Sequence, residues 1–318
     1  MWLHGILDYL ELRSIAIRNY EFHLAKLSLV QNEEVIHSDE IHVPAAPVAE
    51  PPFEPSPSNP PWGVLASVGV WFLSVLFILV FPAIFLLPYL ASFRSVFEDN
   101  EQLMEFAKTD PTSVLLQIVA ILPAHLFTIL VAWLIVTKGR KYDFREMLGW
   151  QSGPFRWWHY LIVLGGFFVV AAGVNAIAPE QENDLIRMLQ TSRSVVYIIA
   201  IIATFTAPLV EEVVYRGVLY SAFQRRIGVT AAFFLVTFLF AVVHVPQYYP
   251  SFSTIFLLGL LSLTLTGIRV WTKNLWPCIV LHTIFNGIQS LVLVLSPEGI
   301  KADPPAHEAV TAILHLFF

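Results

Sequence analysis

Three short segments in the second half of the chain place ionisable and amide side chains inside long apolar runs. The first reads EEVVYRG, the second ends at His244, and the third reads LHTIFNG. A charged group at the centre of a bilayer costs at least about 2.5–3.5 kcal/mol on insertion scales, so such groups are kept mainly where they have a function. The candidate site residues in these segments are Glu211, Glu212, Arg216, His244, His282 and Asn286.

The two adjacent glutamates are expected to have different roles. Glu212 and Arg216 are four residues apart, so they share one helical face, with the acid on the favourable N-terminal side of the base. Glu211 is rotated by about 100° from Glu212 on the same helix and points elsewhere. The spacing therefore predicts an ion pair between Glu212 and Arg216 and leaves Glu211 available.

The third segment places an imidazole and an amide on one helical face, because His282 and Asn286 are also four residues apart. Such a set can hydrolyse a carbonyl compound. Buried Glu211 would take a proton from water, while His244, His282 and Asn286 would position that water and donate to the tetrahedral oxyanion. Each feature also has a structural interpretation: a buried ion pair, an interfacial histidine or an asparagine that joins two membrane helices.

The elements that must position these residues are membrane helices. Of the 318 residues, 56% are hydrophobic and 13% are charged, against roughly 25% charged in soluble domains. The apolar runs are continuous and approach the length of about 20 residues that crosses a bilayer, so they are helices rather than barrel strands. We expect an all-α, polytopic membrane helix bundle with about seven to eight transmembrane helices. The predicted spans are residues 63–90, 113–137, 158–178, 196–224, 229–247, 253–271 and 276–295.

The sequence as a whole predicts three parts. Residues 1–43 form a small extramembrane segment, residues 44–61 form a Pro-rich linker, and residues 62–318 form the bundle, with the catalytic core at about 195–295. Basic residues concentrate in the loop 138–156, at 225–226 and at Lys273, which predicts a cytoplasmic side and a cytoplasmic N-terminus. The absence of a secretory signal fits a multi-pass protein of the bacterial inner membrane.

Composition also excludes several partners and sites. The net charge is −6 and no Lys/Arg-rich block is present, so no nucleic acid is expected as a partner. The expected partners are the lipid bilayer and a peptide or membrane-protein substrate. The single Cys278 excludes an internal disulfide and a zinc cage built from cysteines.

In combination, the motifs EExxxR, FxxxH and HxxxN resemble the signature of the CPBP family, the CAAX proteases and bacteriocin-processing enzymes, also called the Abi family. The resemblance covers roughly residues 195–295. It implies an intramembrane endopeptidase related to the enzyme that removes the last three residues of prenylated CAAX proteins. By position, it implies that Glu211 activates water, that His244, His282 and Asn286 complete the site, and that Glu212 and Arg216 support it. Tyr215 stands where this family usually has Phe.

The cofactor and the function class leave alternatives. The family has been described both as metalloproteases and as glutamate-dependent proteases, and Glu211, His244 and His282 are the candidate ligands if zinc is used. No HExxH motif is present, so we favour a glutamate-activated water without a cofactor. The alternatives are a proton-coupled transporter, which commonly shows inverted repeats that we do not find here, and a non-catalytic scaffold or immunity protein.

Overall fold

A computed structural model describes residues 53–93, 99–151 and 153–295 of the chain. The predicted N-terminal segment 1–43, the first part of the linker and the C-terminal stretch lie outside these residues. Apart from an isolated β-bridge between Ser56 and Asn59, the regular structure of the described residues is helical. These residues all belong to one compact unit, which begins at Phe53.

Among the residues that the structure describes, seven helices are long and apolar enough to cross a membrane, which confirms the predicted polytopic helical fold. Every observed boundary lies within three residues of the predicted one, because long apolar runs mark such helices directly. The first to seventh spans are Val64–Phe93, Pro111–Thr137, Trp157–Ile177, Arg193–Ile227, Val229–Tyr248, Phe252–Thr272 and Trp276–Leu295.

Short helices lie in the connections between the spans, and the second span is itself divided into two helices. The helix Asn100–Thr109 follows the first span, and the second span consists of the helices Pro111–Val119 and Ile121–Thr137. The helices Phe144–Leu148 and Asp184–Leu189 lie in the connections before and after the third span. In each connection an Asp or Asn side chain accepts a hydrogen bond from the first turn, as expected of an N-cap.

The fourth span is the only one of the seven with π-helical segments among the described residues. It runs as an α-helix over Arg193–Ile201, a π-helix over Ile202–Thr206, an α-helix over Ala207–Glu212, a π-helix over Val213–Leu219 and an α-helix over Tyr220–Ile227. Isolated π-helical turns are frequent at functional sites. Here they lie on both sides of the two adjacent glutamates.

The second half of the fourth span lies at the centre of the main hydrophobic core. Every residue of Val213–Leu219 is buried, and this stretch packs against Val70 of the first span, Val136 of the second, Phe240 of the fifth and Leu275 before the seventh. Such close packing holds side chains in fixed rotamers. The two glutamates therefore directly precede a fully buried stretch of helix, and Arg216 lies within it.

The end of the predicted linker packs onto the fourth span. The indole of Trp62 is buried and donates to the carbonyl of Val218 at 3.1 Å. The side chains of Gln224 and Arg225 donate to the carbonyls of Pro57 and Pro60. Residues 57–62 are thus fixed to the C-terminal end of the helix that carries the glutamates.

Candidate active site

A cavity of about 440 Å³ collects the four residues that the sequence predicts as catalytic. Glu211, His244, His282 and Asn286 all line it, although they come from the fourth, fifth and seventh spans. In the predicted spans 196–224 and 229–247, Glu211 is near the middle of its helix, whereas His244 is near the end of its helix and thus nearer to the outer membrane surface. The structure brings both residues to the same cavity.

Glu212 and Arg216 lie behind this cavity and form the predicted ion pair. Arg216 Nη1 donates to Glu212 Oε1 at 2.9 Å, and both side chains are fully buried. Neither residue lines the cavity. The adjacent Glu211 lines it and keeps 24% of its side chain exposed, so the predicted divergence of the two glutamates is confirmed.

His282 connects the two glutamates, which the sequence spacing did not predict. Its Nδ1 lies 2.8 Å from Glu212 Oε1, and its Nε2 lies 3.8 Å from Glu211 Oε2. Because the ionised carboxylate of Glu212 only accepts, Nδ1 carries the proton in this hydrogen bond. In the neutral imidazole, Nε2 therefore presents its lone pair towards Glu211.

Arg216 is held by several hydrogen bonds in addition to the ion pair. Its Nε donates to Thr266 Oγ1, and its Nη2 donates to the hydroxyl and the carbonyl of Ser262 on the sixth span. Its guanidinium carbon lies 4.8 Å from the centre of the Phe240 ring. The fourth, fifth and sixth spans are thereby joined at one buried cation.

Phe240 also orients the second histidine. The Nδ1 atom of His244 lies 2.7 Å from the carbonyl oxygen of Phe240, one helical turn earlier. A carbonyl can only accept, so this nitrogen carries a proton and the other nitrogen of neutral His244 is an acceptor. The FxxxH motif thus contributes both a packed ring and a fixed tautomer.

Asn286 links the seventh span to the first π-helical segment. Its Nδ2 donates to the carbonyl of Ala203 at 2.8 Å, and one turn later Ser290 accepts from the hydroxyl of Thr204. A side-chain amide has two N–H groups, so the second N–H of Asn286 remains for another acceptor. The π-helical segment, the amide and the cavity are therefore in direct contact.

One cavity residue was missed by the motif search. His125 on the second span is buried, lines the cavity and has its Nδ1 2.9 Å from Thr206 Oγ1 at the end of the first π-helical segment. It lies far from the three motifs in the sequence. An ionisable residue within an apolar run is itself a signal of function, and that signal could have identified His125.

The walls of the cavity are largely apolar, with polar groups at a few places. The apolar side chains include Ile121, Leu185, Met188, Leu257 and Leu261. Such a combination of apolar walls and a few convergent polar groups is typical of ligand sites of this volume.

One polar wall residue connects the cavity to the loop after the third span. Thr254 lines the cavity and donates to Glu180 Oε1 at 3.1 Å, and Asn183 donates to the same oxygen. Burial raises the pKa of the Glu180 carboxyl above its usual value, and the hydrogen bonds from Thr254 and Asn183 partly offset this rise. The loop is thereby attached to the start of the sixth span.

The candidate zinc ligands Glu211, His244 and His282 line one cavity in the part of the chain that the structure describes. That part contains no group of three or more His, Cys, Asp or Glu side chains arranged to hold a metal ion. The Nδ1 atoms of His244 and His282 are engaged by Phe240 and Glu212, so each histidine could bind a metal ion only through its Nε2. The described side chains as they stand therefore do not form a zinc site.

Comparison with known families bears on the segment that carries these residues. Residues 193–288 match the family model described as type II CAAX prenyl endopeptidase Rce1-like. This confirms the resemblance indicated by the three motifs. The match includes all four predicted catalytic residues but not His125. With seven apolar helices in its described part, the protein is an integral, multi-pass membrane protein. Searches of curated proteins and of solved structures gave no match.

Proposed function

We propose that this protein is an intramembrane endopeptidase in which Glu211 activates water to cleave a peptide bond near the end of a prenylated CAAX-type substrate. The observation that supports this proposal most directly is that Glu211, His244, His282 and Asn286 line one cavity. The match of residues 193–288 to a prenyl endopeptidase family supports the reaction and the substrate class.

The orientation of His282 suggests how the water is held. Nε2 of His282 and Oε2 of Glu211 both accept hydrogen bonds and lie 3.8 Å apart, so one water can donate a hydrogen to each. The oxygen lone pairs of that water then face the remaining space of the cavity. Transfer of one proton to Glu211 generates the nucleophile, which is general base catalysis.

The products follow from the same groups. The water oxygen bonds to the scissile carbonyl carbon, and the carbonyl oxygen becomes an oxyanion that the second N–H of Asn286 stabilises. The tetrahedral intermediate then breaks its C–N bond, and the proton held by Glu211 passes to the leaving amine. The Nε2 of neutral His244 is an acceptor, because its Nδ1 is engaged by Phe240. His244 can therefore orient a donor in the cavity, but it does not donate to the oxyanion as the spacing of the motifs had led us to expect. The site thereby converts one peptide and one water into a carboxylic acid and an amine.

The ion pair behind the site has a supporting role in this proposal. Glu212 fixes the tautomer of His282 by accepting from Nδ1, and Arg216 holds Glu212 in place by donating to the same oxygen. A residue that fixes a histidine tautomer contributes to catalysis without touching the substrate. Glu212 and Arg216 are accordingly positioning residues.

The wall of the cavity supports an apolar substrate group. Most lining residues are aliphatic or aromatic, and they come from all seven spans and from the helix Asp184–Leu189. Burial of an alkyl or isoprenoid chain in such a site contributes about 0.8 kcal/mol per CH₂ group. A prenylated peptide is therefore expected to be cleaved more efficiently than the same peptide without the prenyl group.

The experiment compares wild-type protein with Glu211→Gln in detergent, using quenched fluorescent peptides with and without a farnesyl group. We expect kcat/KM for the farnesylated peptide to fall by about 10²–10⁴-fold with no change in the unfolding midpoint. Glu182→Gln is the matched control, because Glu182 lies on an exposed loop with 61% of its side chain accessible. Unchanged cleavage by Glu211→Gln would contradict the proposal and favour a scaffold.

A zinc chelator separates the two chemical routes. Cleavage that persists in the chelator and is lost in Glu211→Gln supports water activation by the glutamate. Cleavage that the chelator abolishes and added zinc restores would instead make Glu211, His244 and His282 the candidate metal ligands.

A further inference from the structure

A second buried arginine lies on the sixth span and contacts the C-terminal part of the fourth span. Arg269, on the sixth span, is only 1% exposed. Its Nη1 donates to the carbonyl of Lys273 at 3.0 Å, and its Nη2 donates to the hydroxyl of Ser221 at 3.3 Å. Both partners are neutral. Among the residues that the structure describes, no carboxylate lies within ion-pair distance of Arg269.

Arg216 shows how this bundle otherwise treats a buried guanidinium. It is equally enclosed, but it has the carboxylate of Glu212 at 2.9 Å and three further hydrogen bonds to Ser262 and Thr266. A buried charge without a counter-charge costs several kcal/mol, so buried charges are usually paired. The charge of Arg269 lacks such compensation within the described residues.

A cavity of about 280 Å³ lies beside Arg269. Its polar lining residues are Tyr220, Gln224, Ser58 and Lys273, in addition to Arg269 itself. It shares no lining residue with the larger cavity that contains Glu211. Its described lining contains two cationic side chains, neutral donors and no acidic side chain, which is the chemistry of an anion site.

The position of this cavity fits a phosphate group. Lys273 follows the end of the sixth span, and Gln224 lies in the last turn of the fourth, beside Arg225 and Arg226. The basic loop 138–156 follows the second span, so it lies on the same side of the bundle. Basic pockets between membrane helices on the positively charged side bind the head groups of anionic lipids.

We propose that this cavity binds a phosphate group, either from an anionic phospholipid or as a free anion. Arg269 supplies the buried charge, Lys273 supplies an exposed charge, and the Tyr220 hydroxyl and the Gln224 amide supply donors. One N–H of Gln224 is used by the carbonyl of Pro57, which leaves the other for the ligand. Because Pro57 and Ser58 also line the cavity, the ligand would contact the segment that precedes the first span.

The test measures the unfolding midpoint of the full-length protein in detergent as each probe is added. Sodium phosphate is compared with sodium chloride at equal ionic strength, and dioctanoyl phosphatidylglycerol is compared with the zwitterionic phosphatidylcholine of the same chain length. A ligand that binds only the folded state raises the midpoint in a saturable way. We expect such a rise with at least one of the two anionic probes.

Two lysine variants provide the specificity control. Lys273 and Lys138 both end a membrane span in the left-handed conformation and both are exposed, but only Lys273 lines the cavity. We expect Lys273→Gln to weaken the apparent affinity about fivefold, the equivalent of about 1 kcal/mol. Lys138→Gln should leave the affinity unchanged.

The two probes also identify the source of the phosphate. A response to inorganic phosphate shows that the free anion is sufficient, whereas a response to phosphatidylglycerol alone shows that the lipid head group is required. Three results would overturn the proposal. They are the absence of any rise beyond the paired controls, an equal affinity in wild type and Lys273→Gln, and an equal loss in the two lysine variants.

Discussion

The first three spans and the last four differ in how they use polar side chains. The first span has 6% of its most apolar window buried in the protein, whereas the sixth has 50%. The last four spans contain a connected polar network that includes Glu212, Arg216 and His282. The first three contribute apolar walls and a small number of single contacts, among them His125 with Thr206 and Trp71 with Tyr215. The residues of the proposed chemistry thus all come from the last four spans, while the first three help to enclose the cavity.

The largest effect is expected from breaking the network of the last four spans. Arg216→Gln leaves the buried Glu212 without its counter-charge, so the free energy of unfolding should fall by about 3–5 kcal/mol. The measurement is a denaturant titration in mixed micelles that follows tryptophan fluorescence.

Arg187→Gln is the matched control for this prediction. Arg187 also pairs with a glutamate, Glu182, but the two side chains are 65% and 61% exposed. Loss of an exposed ion pair should cost at most about 1 kcal/mol. Equal losses in the Arg216 and Arg187 variants would show that burial does not distinguish the two pairs.

A smaller effect is expected where the first three spans contact the site. His125→Phe removes the contact with Thr206, which precedes Glu211 by five residues and ends the first π-helical segment. One lost hydrogen bond of about 1 kcal/mol should lower kcat/KM by about fivefold to tenfold through misplacement of Glu211. Peptide cleavage by purified protein measures the change.

A double-mutant cycle decides whether His125 acts through Thr206. Thr206→Val should lower kcat/KM by a similar factor, and the double variant should show no further loss, because the two residues share one interaction. Fully additive losses would mean that His125 affects the cavity independently of the π-helical segment.

The smallest effect is expected from removing the hydrogen bond that joins the first span to the fourth. Trp71 Nε1 donates to the Tyr215 hydroxyl at 3.1 Å. Tyr215→Phe restores the residue that the CPBP family usually has and should lower the free energy of unfolding by about 1 kcal/mol. The change in kcat/KM should stay below about twofold to threefold, since this hydroxyl has no part in the proposed reaction. A much larger loss of cleavage would assign Tyr215 to the site.

Local spacing predicted part of this arrangement correctly. The seven spans follow from long apolar runs, and the pairing of Glu212 with Arg216 follows from their separation by one helical turn. The divergence of Glu211 from Glu212 follows from the rotation of about 100° per residue. These features depend on residues that are close in the sequence, so one sequence was sufficient to predict them.

Contacts between distant parts of the chain could not be predicted in this way. The hydrogen bond from His282 to Glu212 joins two spans, and the contact of His125 with Thr206 joins two others. Both depend on how the helices pack, which a single sequence does not specify. The tautomer of His244 was missed for a different reason, because it depends on a backbone carbonyl that every residue possesses. The roles of the four candidate catalytic residues remain a proposal that mutagenesis will test.

The π-helical segments of the fourth span have a consequence for insertions and deletions. A π-helical turn bonds residue i to residue i+5, so removing one residue from Val213–Leu219 would allow the regular α-helical pattern of i to i+4. The residues beyond the deletion would keep their direction, whereas a deletion in the α-helical part would turn them by about 100°. Related chains can therefore differ in length by one residue within this membrane helix, without a loop, and still present the same face to the cavity.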